Sequence, residues 1–181
     1  MFEKIKDGPK IEVRYVVAML DTDIFKCPAR KIVQGYLQST ILSYLCVRII
    51  DGKRAVFGRK SGKGLNREEQ EWEIPLWLGY LLLGLCRGRV LRKKRYERDG
   101  WEVDEFEKPL KGLVIAEKEV KSADESIEPP SWMCVYKDVT SWLTNQELAC
   151  LARELRKNPL LPGEHSIREY VCERFMPREY D

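Results

Sequence analysis

Charged residues occupy every second position in several short β-type segments of this 181-residue chain. Residues 10–14 read Lys-Ile-Glu-Val-Arg. Because successive side chains of a strand point to opposite faces, Glu12 and Arg14 share one face, and Glu117 and Glu119 share a face in the same way. An apolar interior does not hold such rows unless the charges are paired or bind an ion. The pattern therefore predicts a sheet that encloses a charged, ion-binding interior.

The same alternation recurs on later segments, and acids and bases are always mixed. The residues concerned are Arg48, Lys60, Arg67, Glu69, Glu71, Glu73, Lys93, Arg95, Glu102 and Asp104. Carboxylates provide the oxygen ligands that hard divalent cations prefer, whereas arginine and lysine bind phosphate oxygens. A metal–polyphosphate complex needs both types of residue. The mixture therefore points to a site for a metal bound together with phosphates.

An outer face exposed to solvent is the alternative interpretation of each charged row. Half-exposed antiparallel sheets commonly have such a face, and for any single strand this is the better interpretation. Repetition with mixed signs on nearly every strand favours the inward interpretation, because a closed sheet must place one face inside. Residues 89–98 leave the direction open, since Arg92 and Lys94 have the opposite parity to Lys93 and Arg95.

Composition excludes several other classes of protein. A formal net charge of +3 differs from the one-signed surface that nucleic-acid binding normally requires, so we expect no nucleic-acid partner. Six cysteines without a CxxC pair, and a single histidine, argue against a zinc site. The scattered cysteines and the absence of a signal peptide indicate reduced thiols and a cytoplasmic protein. The longest apolar run, 74–85, is too short to span a membrane.

Hydrophobic periodicity and turn residues predict an α+β fold dominated by antiparallel sheet. The first nine residues look like a lead-in, and residues 19–30 look like a loop. Asp51-Gly52 and Asp99-Gly100 are strong hairpin signals. Ser122–Glu125 matches a capping box and could begin a short helix. The predicted strands are 10–18, 31–38, 42–50, 53–60, 67–74, 89–98, 101–106 and 113–120, and the predicted helices are 76–85, 144–157 and 166–175.

Motifs in this order resemble those of the CYTH family, the triphosphate tunnel metalloenzymes. The resemblance extends from about residue 10 to residue 150. Any one motif is weak, but their order is specific. The matching segments are Lys10-x-Glu12-x-Arg14, Ile32-Val-Gln-Gly-Tyr-Leu37, Arg48 before Asp51-Gly52, Lys60-Ser61, Gly64-Leu-x-Arg67-x-Glu69-x-Glu71, Lys93-x-Arg95-Tyr96, Glu102-x-Asp104-x-Phe106, Glu117-x-Glu119 and Asn145-x-x-Leu148-Ala149.

This resemblance implies a closed eight-stranded antiparallel β-barrel, or tunnel, with helices packed outside. The tunnel domain would comprise residues 1–157, and residues 158–181 would form a C-terminal helical extension. Members of the family hydrolyse inorganic tripolyphosphate or thiamine triphosphate, or cyclise ATP, with Mg²⁺ or Mn²⁺. The expected ligand is therefore tripolyphosphate or a nucleoside or thiamine triphosphate. The resemblance leaves a homodimer open.

Residue roles are transferred by position within the matching motifs. Catalytic roles fall on Glu12, Glu69, Glu71 and Asp104. Phosphate binding falls on Arg14, Arg48, Lys60, Arg67, Lys93 and Arg95. Metal binding falls on Glu12, Glu117 and Glu119.

Three departures from the family pattern keep alternatives open. Lys10 stands at the first glutamate position of the opening motif, and a charged ammonium cannot bind a metal. Ile50 stands where the family often has a second arginine, and residues 140–143 lack the expected base. The leading hypothesis is a metal-dependent triphosphatase. The alternatives are a non-catalytic polyphosphate-binding module, a class IV-type adenylyl cyclase, and an adaptor acting through the C-terminal extension. For that extension, we favour a helix packed on the outside of the barrel.

Overall fold

A computed structural model describes residues 3–39, 43–63, 66–122, 125, 127–163 and 165–177. The side chains of residues 9, 10, 38, 39, 62, 63, 66 and 67 are not described. The side chains of Lys10 and Arg67, which the sequence analysis singled out, therefore lie outside the described part of the chain. So do two positions, 123 and 124, of the predicted capping box.

Within the described residues, ten strands form one antiparallel sheet accompanied by three α-helices and a short 3-10 helix. The strands are β1 (Glu3–Lys10), β2 (Glu12–Leu20), β3 (Arg30–Ser39), β4 (Ser43–Ile50), β5 (Arg54–Lys63), β6 (Asn66–Ile74), β7 (Val90–Arg98), β8 (Trp101–Phe106), β9 (Val114–Glu119) and β10 (Met133–Asp138). The helices are α1 (Leu76–Leu85), α2 (Asn145–Lys157) and α3 (Ile167–Phe175), and the 3-10 helix is Thr22–Lys26.

Hydrogen bonds connect the strands in the order β1-β6-β5-β4-β3-β7-β8-β9-β2-β10. The described sheet has ten strands and is not closed, so the predicted closed barrel of eight strands is not confirmed. Two segments account for the difference. The expected lead-in forms β1 and pairs with β6, and the unassigned segment 133–138 pairs with β2. Both are edge strands, so the sheet as described is open at β1 and β10.

The open sheet is nevertheless strongly curled. A single residue, Ile11, separates β1 from β2, although these strands lie near opposite ends of the strand order. Lys6 on β1 is 4.0 Å from the Glu119 carboxylate on β9, close to the other end. The chain and an ion pair thus bring the two ends of the sheet together around its inner face.

The inner face of the sheet has an apolar end and a charged end. Val16, Leu91 and Ile115 face inward, because each is two positions from an inward-facing charged residue of its own strand. They belong to one buried cluster with Leu148 and Leu151 of α2. Helix α2 thus packs against the apolar end of the inner face, which corrects the expectation that all helices lie outside. The charged residues lie towards the other end.

Two further helices are positioned by their packing. Helix α1 covers the outer face of β4 and β5, where Ile49 and Ala55 form a cluster with its leucines. Helix α3 contributes Val171 and Cys172 to the same buried cluster as α2. No helix in the described ranges is long and apolar enough to cross a membrane.

Candidate functional site

A cavity of about 210 Å³ lies at the charged end of the inner face. It is lined only by polar and charged residues. Its acids are Glu12, Glu69, Glu71, Glu102, Glu117 and Glu119, and its bases are Lys6, Arg48, Lys60, Lys93 and Arg95. Gln34 and Asn145 complete the lining. One cavity therefore combines side chains from nine different strands, β1 to β9, and the first residue of α2.

The parity of β7 is settled by burial. Lys93 is 2% exposed and Arg95 is 9% exposed, whereas Arg92 faces outward and is exposed. The inward pair is therefore Lys93 and Arg95. Their neighbours in the sheet explain this choice, since the opposite strand β8 offers Asp104 directly across from Arg95.

Strands β4, β5 and β6 contribute two acid–base pairs to the cavity wall. Lys60 lies opposite Glu69 in the register and forms an ion pair with it, and Arg48 forms an ion pair with Glu71. Burial by itself lowers the pKa of the Lys60 ammonium, but Tyr44 and Glu69 outweigh burial and raise it. These bases therefore stay charged although they are largely removed from water.

Asp104 contacts both inward-facing cations of β7, Lys93 and Arg95. Arg95 donates two hydrogen bonds to it, from Nε to Oδ1 at 2.7 Å and from Nη2 to Oδ2 at 2.6 Å, and Lys93 forms an ion pair with Oδ2. Burial alone would raise the pKa of Asp104, but Lys93 and Arg95 lower it below its ordinary value. Burial lowers the pKa of Lys93. Asp104 is fully buried and does not line the cavity; it fixes two residues that do.

Arg14 also lies behind the cavity wall. Its Nη1 is 3.2 Å from Glu117 Oε1, and its Nη2 donates to Asn145 Oδ1 at 2.6 Å. The Thr140 hydroxyl accepts from its backbone N–H at 2.9 Å. Arg14 thus connects β2, β9 and the start of α2, and it orients two residues of the lining.

The Nε–H group of Arg48 can donate a hydrogen bond to a bound anion. Its Nε is buried and has no hydrogen-bond partner among the described residues, whereas its Nη2 contacts Glu71. A buried guanidinium N–H without a partner is costly, and an oxygen of a bound anion would satisfy it. The residues present therefore suit a phosphate ligand.

Carboxylates dominate the opening beside this cavity. A second cavity, of about 400 Å³, shares Glu12, Glu102, Glu117 and Glu119 with the first. Glu12 lies directly opposite Glu119 in the register, and Glu102 lies directly opposite Glu117. Arg95 already contacts both Glu102 and Glu117. Facing like charges destabilise a sheet, so a cation near Glu12 and Glu119 would offset their repulsion.

The donor set fits a magnesium-type ion. Among the described residues, no three His, Cys, Asp or Glu side chains form a ready-made metal site. Such a site is not required, because Mg²⁺ is usually held by one or two carboxylates together with waters and substrate phosphates. The facing carboxylates Glu12 and Glu119 meet that lesser requirement.

The structure brings together nearly all the residues that the sequence pattern selected. Arg14 and Asp104 lie behind the cavity wall, Glu73 does not line the cavity, and the side chain of Arg67 is not described. The cavity also includes Lys6, Gln34, Glu102 and Asn145, to which the family motifs assign no individual role. Glu102 belongs to the alternating charged row that it shares with Asp104, whereas Lys6 has no such signal because the following Asp7-Gly8-Pro9 is typical of a lead-in.

Fold and site together define an antiparallel α+β protein with an acid–base-paired interior. No protein-family model matches the chain. An inorganic triphosphatase of Acetivibrio thermocellus is 32% identical over 133 residues, covering 70% of this chain and 83% of that protein. An inorganic triphosphatase of Nitrosomonas europaea is 31% identical over 131 residues, covering 68% of this chain and 85% of that protein.

Solved structures agree with these relatives. The crystal structure of the inorganic triphosphatase NE1496 superimposes with a TM-score of 0.53 and 28% identity, covering 77% of this chain and 93% of that chain. The chain belongs to the CYTH family, the triphosphate tunnel metalloenzymes.

Proposed function

We propose that the protein is a metal-dependent triphosphatase that hydrolyses inorganic tripolyphosphate, or a related triphosphate compound, in the charged cavity. The observation that carries this proposal is the convergence of six acids and five bases on one cavity. Curated relatives named inorganic triphosphatase support it. The reaction adds water to the terminal phosphorus and breaks its bridging P–O bond, so that tripolyphosphate yields phosphate and diphosphate.

The bases would bind the phosphate chain. Lys60, Lys93 and Arg95 line the cavity, and Arg48 adds its buried Nε–H. Each is already placed by an acid, so little conformational entropy is lost when an anion binds. Arginine can bind two phosphate oxygens at once, and lysine acts as a compact point charge. We include Arg67 in this group because of its place in the family motif.

The acids would serve two purposes. Glu12, Glu117 and Glu119 would hold Mg²⁺ or Mn²⁺. The bound ion would offset charge on the phosphoryl oxygens and lower the pKa of a coordinated water. Glu69 and Glu71 line the cavity from β6, and a carboxylate there can accept the proton of the attacking water. Each of the two is in contact with a cation, Glu69 with Lys60 and Glu71 with Arg48.

Asp104 and Arg14 are proposed as positioning residues. Neither lines the cavity, and each contacts residues that do. Asp104 contacts both Lys93 and Arg95 and offsets the repulsion between their like charges. Arg14 neutralises Glu117 and contacts Asn145, so it controls how much of the Glu117 carboxylate faces the cavity.

Phosphate release from tripolyphosphate, measured with Mg²⁺ and separately with Mn²⁺, tests the proposal. We expect activity in the wild type and a loss of about a hundredfold or more in Glu117→Gln and Glu119→Gln, which keep the shape but remove the charge. Glu105→Gln, on the outer face of β8, is the matched control and should keep wild-type activity. Wild-type release no greater than that of Glu117→Gln would contradict the proposal. Formation of a cyclic product from ATP would indicate a cyclase and not a hydrolase.

A further inference from the structure

Strand β1 adds a cation to the cavity from a segment that precedes the family motifs. Lys6 lies opposite Glu71 in the β1–β6 register and lines the cavity. A register shift between residues 4 and 6 places Lys4 opposite Trp72 instead. Lys4 pairs with Asp7 and does not line the cavity, so the two lysines of this strand have different surroundings.

Lys6 is the most loosely held of the cavity bases. Its Nζ lies 3.5 Å from Glu69 and 4.0 Å from Glu119, and its side chain is 33% exposed. Lys60 and Lys93 form closer ion pairs and are 15% and 1% exposed. Long, partly exposed ion pairs contribute little energy, so the Lys6 ammonium can leave its carboxylates for a phosphate oxygen with little loss.

The two carboxylates near Lys6 come from strands close to the two ends of the sheet. Glu69 belongs to β6, and Glu119 belongs to β9. Lys6 therefore lies where the ends of the sheet meet and is partly exposed, whereas Lys93 and Arg95 are almost buried. A phosphate chain that contacts Lys6 as well as Lys93 and Arg95 must extend from the buried cations to the partly exposed side of the cavity.

We propose that Lys6 binds an oxygen of the outermost phosphate of the substrate, and so makes the site prefer a triphosphate chain over a diphosphate. This inference rests on the proposed function, because it assumes that the cavity takes a polyphosphate. It assigns to β1 a role in selecting the length of the chain.

Calorimetric titration of tripolyphosphate and of diphosphate, with a chelator present, measures this selection without turnover. In Lys6→Met we expect tripolyphosphate to bind about tenfold more weakly, because one charge-assisted hydrogen bond is lost, while diphosphate binding changes less than twofold. Lys6→Arg should restore most of the affinity, since it keeps the charge. Lys4→Met is the matched control and should bind both ligands as the wild type does.

The KM for tripolyphosphate with Mg²⁺ is the second readout. It should rise about tenfold in Lys6→Met, with kcat within about twofold of wild type. Equal affinity of wild type and Lys6→Met for tripolyphosphate, or an equal loss for both ligands, would overturn the role of Lys6. If the wild type binds tripolyphosphate with this selectivity but releases no phosphate, the proposed hydrolysis fails and the role of Lys6 stands. If the wild type neither binds nor hydrolyses tripolyphosphate, both fail.

Discussion

Asp104 is the residue on which the charged interior depends most directly. It is fully buried and contacts two cations, Lys93 and Arg95, which would otherwise repel each other. Removing one member of a buried ion pair leaves an uncompensated charge in a poorly solvated place. The same side chain therefore supports both the stability of the fold and the position of two proposed phosphate-binding groups.

Asp104→Asn should lower the free energy of unfolding by about 3 kcal/mol or more, because two buried cations lose their shared counterion. Urea denaturation at pH 7 measures this. Glu105→Gln is the matched control: it changes the neighbouring carboxylate, which faces the other side of the sheet, and should shift the free energy by less than about 1 kcal/mol. Equal effects of the two substitutions would show that Asp104 is not the anchor.

The pH dependence of stability should also reveal Asp104. Its pKa is lower in the folded protein than the ordinary value of 3.8, so the folded state favours the ionised form more than the unfolded state does. Its contribution is therefore fully present above about pH 4 and disappears as the pH falls through the folded pKa. The stability difference between wild type and Asp104→Asn, measured by denaturation from pH 7 to pH 3, should shrink below about pH 4. A difference that grows on acidification would contradict this assignment.

At the scale of elements, helix α1 depends on one close approach. A Cβ added at Gly79 would lie 2.5 Å from the Cβ of Ala55 on β5. The helix can therefore approach the sheet only because residue 79 has no side chain. Gly84, in the same helix, has no atom within 4 Å of an added Cβ among the described residues.

These two glycines make a matched pair of substitutions. Gly79→Ala should reduce stability by about 1–3 kcal/mol, since the helix must move away from β5. Gly84→Ala should leave stability unchanged or raise it by up to about 1 kcal/mol, because alanine favours the helical backbone. Thermal unfolding followed by circular dichroism distinguishes the two. A loss at Gly84 equal to that at Gly79 would argue against the packing described for α1.

Local signals predicted some elements well. Thr144 and Ser166 begin α2 and α3 with capping boxes, and α1 has the predicted bounds. The hairpin at Asp51-Gly52 has the positive φ angles, 53° and 66°, that such a turn requires. These features depend on neighbouring residues, so the sequence is sufficient to predict them.

The two edge strands could not be predicted in the same way. Strand β1 contains Gly8 and Pro9, which interior strands normally avoid but edge strands tolerate. In β10, only Met133 is buried, so it has no alternating pattern. Both segments become strands because the edges of β6 and β2 offer unpaired backbone groups, and this is decided by the rest of the sheet.

At the scale of the whole molecule, α3 bears on the predicted division at residue 157. Val171 and Cys172 are buried in the cluster that α2 forms with the inner face of the sheet. Helix α3 therefore contributes to the main core even though the family motifs end near residue 150. The division into residues 1–157 and an extension remains a prediction.

Ending the chain at Lys157 tests that division. We expect the melting temperature to fall by about 5 °C or more, because two buried side chains lose their contacts and leave apolar surface exposed. Leu160→Ala is the control, since Leu160 is 85% exposed and should not affect melting. An unchanged melting temperature in the shortened chain would show that the first 157 residues form an independent domain.

The amino-acid sequence is sufficient to predict rows of mixed charge at alternate positions of successive strands, and the order of these strands in the chain. This information is local, since the two-residue period of a strand assigns each charge to a face. The inward-facing parity of β7, the pairing of each base with its acid, and the position of Lys6 beside them follow from the folded sheet alone. These outcomes depend on contacts between residues far apart in the chain, and on an open, curled sheet whose edge strands no local pattern predicts.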